Sequence, residues 1–258
     1  MRERRAESRI EAETAADGFE FQLAGERLTA RASGALWLPE RSALAVADLH
    51  LGKSERMARR GGPLLPPYET ADTIERLATE IARLEPRMVI SLGDSFDDAR
   101  AADALGPAAR ERLGALAEGR DWVWIAGNHD PAAPAGLGGR ALEELALGRL
   151  RFRHIASAGA MPGAVSRGEV SGHHHPKATL IARGRRLSRR CFLWDARRLI
   201  LPAFGLYTGG LDARDPAFDA LLEPDAVALL IGRRAQALPR AALSAARGAS
   251  GPGFDGPR

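Results

Sequence analysis

Short apolar runs separated by polar residues dominate the first half of the chain, and their spacing predicts alternating strands and helices. Residues 69–84 place Ile74, Leu77, Ile81 and Leu84 on one helical face, and the proline that follows ends this helix. A second helical segment is predicted at 102–118. The strand-like runs of this half cover residues 19–25, 27–32, 35–39, 42–48, 87–94 and 121–130.

The second half contains short strand-like runs with few long helices between them. These runs lie near residues 150–155, 167–171, 178–182, 190–194 and 198–202. Strands that alternate with helices predict an α/β fold. Without an internal repeat or a clear linker, we expect a single domain over 18–238. The charged, alanine-containing residues 1–17 are predicted to be disordered, and residues 239–258 to form a flexible tail.

The composition agrees with a soluble globular protein and excludes some classes of site. Of 258 residues, 45% are hydrophobic and 27% are charged, so a sizeable core can form. No apolar run approaches the roughly 20 residues that a bilayer-spanning helix needs, and the N-terminus is too charged for a signal peptide. Cys191 is the single cysteine, which excludes an internal disulfide and a thiolate metal site. We therefore expect a cytoplasmic protein.

The net charge of +4 is too small to predict nucleic-acid binding by itself. Among the 37 basic residues, Lys53 and Lys177 are the only lysines. The abundance of arginine is a compositional bias, and the arginine-rich run at 183–190 is more typical of a solvated hairpin than of a DNA-binding element.

Metal-ligand residue types follow three of the predicted buried strands. In open α/β sheets, the carboxyl ends of the strands form the common edge where sites lie. A later loop, SGHHHP, adds further imidazoles at residues 173–175. The polar residues at the three strand ends are Asp48 and His50, then Asp94, then Asn128, His129 and Asp130.

Each motif has a local alternative. Asp-x-His and Gly-Asp after a strand are also common turn sequences, and a histidine run is usually a solvated loop. The joint occurrence of all of them in this order, after apolar strands, favours a functional site.

The ordered motifs resemble the calcineurin-like metallophosphoesterase superfamily. Its pattern is D-x-H, G-D-x-x-D or a variant, G-N-H-D/E, a lone His, and G-H-x-H. The corresponding blocks here are DLH (48–50), GDSFD (93–97), GNHD (127–130), His154 and GHHH (172–175). The resemblance implies a four-layer α/β/β/α sandwich of two mixed sheets flanked by helices.

The resemblance also implies the role of each residue. Two divalent metal ions are expected, with manganese the usual activator and iron or zinc as alternatives. His129 is the expected general acid, and Asp130 is expected to orient it. His154, the only histidine outside the other motifs, takes the place of the lone His. The implied ligands are Asp48, His50 and His175 for one metal, Asn128, His154 and His173 for the other, and Asp94 as the bridge.

Further motifs resemble the bacterial ligase-associated subgroup of this superfamily. They are ADLHLGK (47–53), GDSFDD (93–98) and LPAFGLYTGGLD (201–212). This subgroup implies a phosphodiesterase or DNA endonuclease in DNA repair, functionally linked to DNA ligase, a helicase and an exonuclease. Asp97 departs from it, because many relatives have His there, and its role stays open.

Two features are left unassigned by the sequence. Lys53 and Arg100 could each meet a substrate phosphate or lie exposed at a helix. The segment 201–212 is more typical of a strand with a glycine-rich turn that closes the sheet, although it could also border the substrate.

Three functions are compatible with these residues. The first is a two-metal phosphodiesterase acting on DNA. The second is a hydrolase of the same class for a small nucleotide or cyclic nucleotide, which would need an enclosed pocket rather than an arginine-lined groove. The third is a non-catalytic metal-binding scaffold, which retention of the ligands and of His129 disfavours.

Overall fold

The computed structural model describes residues 14–15, 18–62, 66, 68–130, 134–157, 159, 167–182, 185–232 and 235–243. Two mixed sheets face each other. In the first sheet the strands lie in chain order, antiparallel from β1 to β5 and parallel from β5 to β8. They are β1 (Thr14–Ala15), β2 (Gly18–Leu23), β3 (Glu26–Ala30), β4 (Leu36–Leu38), β5 (Ala43–Val46), β6 (Met88–Leu92), β7 (Asp121–Ile125) and β8 (Arg140–Leu142).

The second sheet is built from the rest of the chain. Its strands are β9 (Glu144–Leu147), β10 (Leu150–Arg153), β11 (Gly168–Ser171), β12 (Lys177–Ala182), β13 (Arg185–Trp194), β14 (Arg198–Ile200), β15 (Val227–Leu230) and β16 (Gln236–Pro239). The order is β16-β15-β13-β14-β11-β10-β9, and β12 pairs with β13 in a hairpin. β11 lies parallel to both of its neighbours, whereas the other pairs are antiparallel.

Four α-helices lie in the described ranges: α1 (Lys53–Arg59), α2 (Glu69–Leu84), α3 (Ala99–Asp103) and α4 (Pro107–Ala117). α2 has the predicted bounds, and it ends at Glu85, which adopts a left-handed conformation before the proline. The prediction of a single helical segment at 102–118 is wrong in one respect, because this range is divided between α3 and α4. The chain forms two helices there because Pro107 occupies the first turn of α4, where its missing N–H costs no hydrogen bond.

Alternating side chains of the strands form separate cores on the two faces of the first sheet. Ala45 and Ile90 belong to the core between the two sheets. In this core, Phe21 of β2 packs against Trp194 of β13 with ring centroids 4.9 Å apart. Residues on the opposite face, such as Val89, pack against α2 and α4. The prediction of two mixed sheets with flanking helices in one domain is therefore confirmed.

Within the described residues, a 3-10 helix and loops cover the outer face of the second sheet. Phe218, from the 3-10 helix Pro216–Phe218, packs there with Cys191 and Leu193 of β13. No helix in the described ranges has both the length and the hydropathy to span a membrane.

The predicted disordered ends lie mostly outside the described residues. Of residues 1–17, Thr14–Ala15 pair with β2. Of residues 239–258, Pro239 ends β16 and a 3-10 helix follows at Arg240–Ala242. The predicted disorder of the remaining terminal residues stays a prediction.

Candidate metal centre

The candidate ligands follow strands of both sheets at one edge of the sandwich. β5, β6 and β7 are parallel, so the segments after them leave the same edge of the first sheet. The second sheet adds the segments after β10 and β11. Five segments thereby deliver the seven predicted ligands: Asp48, His50, Asp94, Asn128, His154, His173 and His175.

The first group of donors, here called the Asp48 cluster, consists of Asp48, His50 and His175. His175 Nε2 lies 3.0 Å from Asp48 Oδ1 and 3.3 Å from His50 Nε2. Asp48 and His50 are buried, and His175 is partly exposed. One carboxylate and two imidazoles at this separation can surround one divalent cation.

The second group, the Asp94 cluster, consists of Asp94, His154, His173 and Asn128. His154 Nε2 lies 3.3 Å from Asp94 Oδ2 and 3.3 Å from His173 Nδ1. Asn128 Oδ1 is 2.9 Å from both of these imidazole nitrogens. This cluster supplies mixed oxygen and nitrogen donors of the kind that manganese, iron and zinc accept.

The two clusters adjoin each other. The backbone N–H of His173 donates to both carboxylate oxygens of Asp48, at 3.2 and 3.0 Å, and His154 Nδ1 lies 3.9 Å from Asp48 Oδ1. The backbone N–H of His50 donates to the carbonyl of Asp94 at 2.9 Å. The structure therefore brings all seven candidate ligands together, whereas the bridging role of Asp94 stays a prediction.

Five of the candidate ligands have left-handed backbone conformations, which side chains other than glycine rarely adopt. Their φ angles lie between 45° and 69°. Such strain persists only where the surrounding structure enforces it, and it concentrates at functional sites. The five residues are Asp48, His50, Asp94, His173 and His175.

Two motif glycines are fixed by close approach of the donors. A Cβ on Gly93 would lie 2.4 Å from the ring of His154, and one on Gly127 would lie 2.2 Å from Asp94 N and 2.3 Å from Asp94 Oδ1. Gly93 of GDSFD thus allows the His154 imidazole to approach its backbone, and Gly127 of GNHD allows Asp94 to do the same.

The electrostatics of the Asp94 cluster keep its carboxylate charged. Burial opposes ionisation of Asp94, but hydrogen bonding and charge from His154 and the backbone N–H of His129 outweigh it and lower the pKa of Asp94 to about 2. Burial likewise opposes charge on His154, yet Asp94 and Asp48 raise the pKa of its imidazole. The buried carboxylates thus attract positive charge to this position.

His129 lies beside the clusters with its side chain 36% exposed. Its backbone N–H donates to Asp94 Oδ1 at 2.9 Å, and its Nε2 lies 4.0 Å from Asp94 Oδ2. Its Nδ1 is 2.8 Å from the backbone carbonyl of Asp97. When the His129 imidazole donates from Nδ1 to this carbonyl, its Nε2 is directed towards the Asp94 cluster.

The orienting role predicted for Asp130 does not match these contacts. Asp130 Oδ2 accepts a hydrogen bond from the backbone N–H of Phe96 at 3.0 Å, while the group in contact with His129 Nδ1 is the carbonyl of Asp97. Burial, reinforced by the negative charge of Asp94, raises the pKa of Asp130 to about 7. Asp130 therefore supports the turn after β6 rather than the imidazole.

Asp97, whose role the sequence left open, is completely buried behind the Asp48 cluster. One of its carboxylate oxygens lies 3.0 Å from His50 Nδ1 and 3.5 Å from Lys53 Nζ, and the other contacts Arg56 Nε. Burial opposes its ionisation, but these three groups outweigh burial and hold the pKa of Asp97 below its ordinary value. A carboxylate on the far nitrogen of a ligand imidazole fixes its orientation.

Arg56 is a residue of the site that the sequence analysis did not identify. It lies one helical turn after Lys53, so the two reach the same carboxylate from one face of α1. That spacing was visible in the sequence, but the carboxylate it faces is 41 residues away. Arg100, the other unassigned cation, is exposed on α3.

His174 faces away from the clusters, with its ring centroid 5.5 Å from that of Phe218. In an extended segment, alternating side chains would separate the two outer imidazoles from the central one. The segment is not extended here, because His173 and His175 both have left-handed φ angles, of 69° and 46°. The bent backbone, rather than strand alternation, separates the two outer imidazoles from the central one.

The segment 201–212 connects the loops that carry the Asp48 cluster. The N–H groups of Phe204 and Gly205 donate to the carbonyls of Ala47 and Asp48, at 2.8 and 3.1 Å. The N–H of Leu211 donates to the carbonyl of His174 at 3.1 Å. The segment forms isolated bridges at Ala203 and Asp212 instead of the predicted strand, and it links the two loops at the edge of the site.

Comparison with known families gives one match to a family model, that of the calcineurin-like phosphoesterases, over residues 42–189. This range contains all seven candidate ligands and His129. No curated protein matches the sequence significantly.

Solved structures that are similar to this chain include a nuclease and a phosphoesterase. A Pseudomonas putida nuclease, MPE, is 25% identical and superposes with a TM-score of 0.64, covering 85% of this chain and 98% of the nuclease. YfcE, a phosphoesterase from E. coli, is 15% identical with a TM-score of 0.42, covering 76% of this chain and 98% of YfcE.

Proposed function

The chain belongs to the calcineurin-like phosphoesterase family and is a metal-dependent phosphoester hydrolase, and we propose that it is a two-metal phosphodiesterase that cleaves DNA. We propose further that it acts as an endonuclease in bacterial DNA repair, within the ligase-associated subgroup and with functional links to DNA ligase, a helicase and an exonuclease. We also propose that the protein is cytoplasmic, as the sequence predicts.

The observation that carries the proposal is the contact between the Asp48 and Asp94 clusters. Two cation sites that share one edge suit a phosphodiester, whose negative charge repels an anionic nucleophile. When bound, two divalent cations neutralise that charge and generate hydroxide near neutral pH. The donors contain imidazole and oxygen but no thiolate, which supports manganese first, with iron or zinc as alternatives.

The residues of the chain divide the remaining work. Asp48, His50 and His175 would hold one cation, and Asp94, Asn128, His154 and His173 would hold the other, with Asp94 as the predicted bridge. His129 protonates the leaving oxygen from Nε2, because its Nδ1 is held by the carbonyl of Asp97.

Two observations favour a nucleic acid over a small nucleotide. The similarity to the Pseudomonas nuclease extends over 85% of this chain. The cavity beside Asn128 and His154 has a volume of about 260 Å³, and its lining includes Glu143, Arg153 and Ile155. Enclosed small-molecule pockets usually have about 300–1,000 Å³, so this cavity is small for a whole nucleotide.

The test is a cleavage panel with metal-stripped protein to which manganese is added back. Single-stranded DNA, duplex DNA, RNA and bis-p-nitrophenyl phosphate are the substrates, and Asp94→Asn is the inactive control. We expect manganese-dependent cleavage of DNA and of the small ester. Cleavage of the small ester alone would replace the DNA proposal by the small-nucleotide alternative.

A further inference from the structure

One exposed aromatic side chain belongs to a loop whose two ends contact the segments of the Asp48 cluster. Tyr207 is 48% exposed and has a left-handed φ of 53°. A bulky residue in this conformation is a backbone outlier, and such outliers are found at functional sites. Tyr207 belongs to the segment 205–210, here called the Tyr207 loop, to which the metal-centre mechanism assigns no task.

The Tyr207 loop is fixed between the two loops of the Asp48 cluster. At one end, a Cβ on Gly205 would lie 2.1 Å from the carbonyl oxygen of Leu49. At the other end, a Cβ on Gly210 would lie 2.1 Å from the carbonyl oxygen of His175. The backbone on both sides of Tyr207 is therefore packed against the segments that carry the Asp48 cluster.

Of the two lysines of the chain, Lys177 contacts this loop and Lys53 lies at the Asp48 cluster. Lys177 Nζ donates to the carbonyl of Thr208 at 2.8 Å, and Lys53 Nζ lies 3.5 Å from Asp97 Oδ1 behind His50. Burial lowers the pKa of Lys177, and the positive charges of Arg190 and Lys53 lower it further. Several cations thus face the same rim, which favours an anionic ligand there.

We propose that the Tyr207 loop is a subsite for the nucleotide next to the scissile phosphodiester, with the ring of Tyr207 stacking on its base and Lys177 and Lys53 attracting its phosphate. The inference rests on the proposed function and adds to it the substrate class, a strand with an unpaired base. An exposed ring can stack on a base only where that base is not paired within a duplex, and such stacking tolerates any base sequence.

The test compares substrates with and without a base. The thymidine 5′- and 3′-monophosphate p-nitrophenyl esters carry a base, and bis-p-nitrophenyl phosphate does not. For Tyr207→Ala in the manganese-loaded protein, we expect the ratio of kcat/KM for the better nucleoside ester to kcat/KM for bis-p-nitrophenyl phosphate to fall about tenfold. Tyr207→Phe should restore the ratio. Tyr68, the other tyrosine of the chain, is also exposed, and Tyr68→Ala is the matched control that should leave the ratio unchanged.

Lys177→Gln tests the charge separately, because glutamine can still donate to the carbonyl of Thr208. For an oligodeoxynucleotide, the slope of log KM against log salt should decrease by about 1. An unchanged slope would remove Lys177 from the subsite.

The outcomes distinguish this inference from the proposed function. If Tyr207→Ala lowers kcat/KM for both kinds of ester equally, or for neither, the subsite is refuted even where the wild-type protein cuts DNA. If the ratio falls although no DNA is cut, the subsite holds and the DNA proposal fails. A chain that hydrolyses none of these substrates fails both.

Discussion

At the residue scale, His129 differs from the candidate ligands in its exposure and its contacts. It adjoins Asp94, but its Nδ1 is held by a backbone carbonyl, 2.8 Å away. A general acid contributes about 10²- to 10⁴-fold to the rate. Substitution of His129 can therefore test whether this residue transfers a proton without binding metal.

We expect His129→Ala to retain both metals and to lower kcat on DNA by at least about 100-fold. The loss should be smaller on bis-p-nitrophenyl phosphate, because p-nitrophenolate is a better leaving group than an alkoxide and needs less protonation. Metal content by mass spectrometry and single-turnover cleavage provide the measurements. His174→Ala is the control histidine, and an equal loss on the two substrates would argue against the acid role.

The sequence predicted the residue types of the site better than their individual contacts. All seven candidate ligands were predicted from motif order, and the structure places them at one edge of the sandwich. The role of Asp97 could not be predicted, because it depends on Lys53 and Arg56, which lie 44 and 41 residues before it in the chain. Asp130 was assigned by its position next to His129, whereas the turn directs its carboxylate to Phe96.

At the element scale, the turn after β7 controls how closely two loops approach. Gly127→Ala would place a methyl group 2.2 Å from the backbone nitrogen of Asp94, so one of the two loops must shift. We expect the variant to lose at least one metal and most of its activity, with the loss of unfolding free energy about 1–3 kcal/mol.

Gly114→Ala is the matched control for this substitution. Gly114 lies inside α4 with no atom within 4 Å of the added methyl group. Alanine should stabilise that helix by roughly 0.5–1 kcal/mol and leave metal content unchanged. Equal metal content in the two variants, measured after the same purification, would contradict the close-approach argument.

The predicted elements were right where apolar periodicity was strong, as in α2 and in the buried strands β5, β6 and β7. β8 and β9 were not predicted, because they are short and largely exposed, so they carry no clear alternation of burial. β15 is apolar and fully buried, but its pairing with β13 joins residues far apart in the sequence, and no local signal separates such a run from a buried helical turn.

At the scale of the whole molecule, the candidate ligands come from segments after strands of both sheets, so metal binding and folding should be coupled. A ligand that binds only the folded chain stabilises it by about 2.7 kcal/mol at 100 times its Kd. We therefore expect manganese to raise the Tm of stripped protein by roughly 5–10 °C. The measurement is calorimetry with and without chelator, and an unchanged Tm in Asp94→Asn provides the control. A wild-type Tm that does not respond to manganese would contradict the two-metal site.

Cys191 reports on opening of the second sheet. The thiol lies in β13, is fully buried, and has its pKa raised by burial and by the charge of Asp212. The thiol therefore stays protonated at pH 8, so the native protein should react with a disulfide reagent at least about 100-fold more slowly than the urea-unfolded chain. As the pH is raised, the labelling rate of the unfolded chain should increase before that of the native protein. Rapid labelling of the native protein would mean that the face covered by Phe218 opens readily.

The position of the two lysines has a practical consequence. Apart from the α-amino group, the chain carries its only primary amines at the rim of the metal centre, at Lys53 and Lys177. Acylating reagents should therefore footprint this rim selectively, and Lys177, with its lowered pKa, should be modified at a lower pH than an ordinary lysine. Coupling to an amine-reactive support through either lysine would turn the catalytic face towards the resin, so immobilisation should use another chemistry.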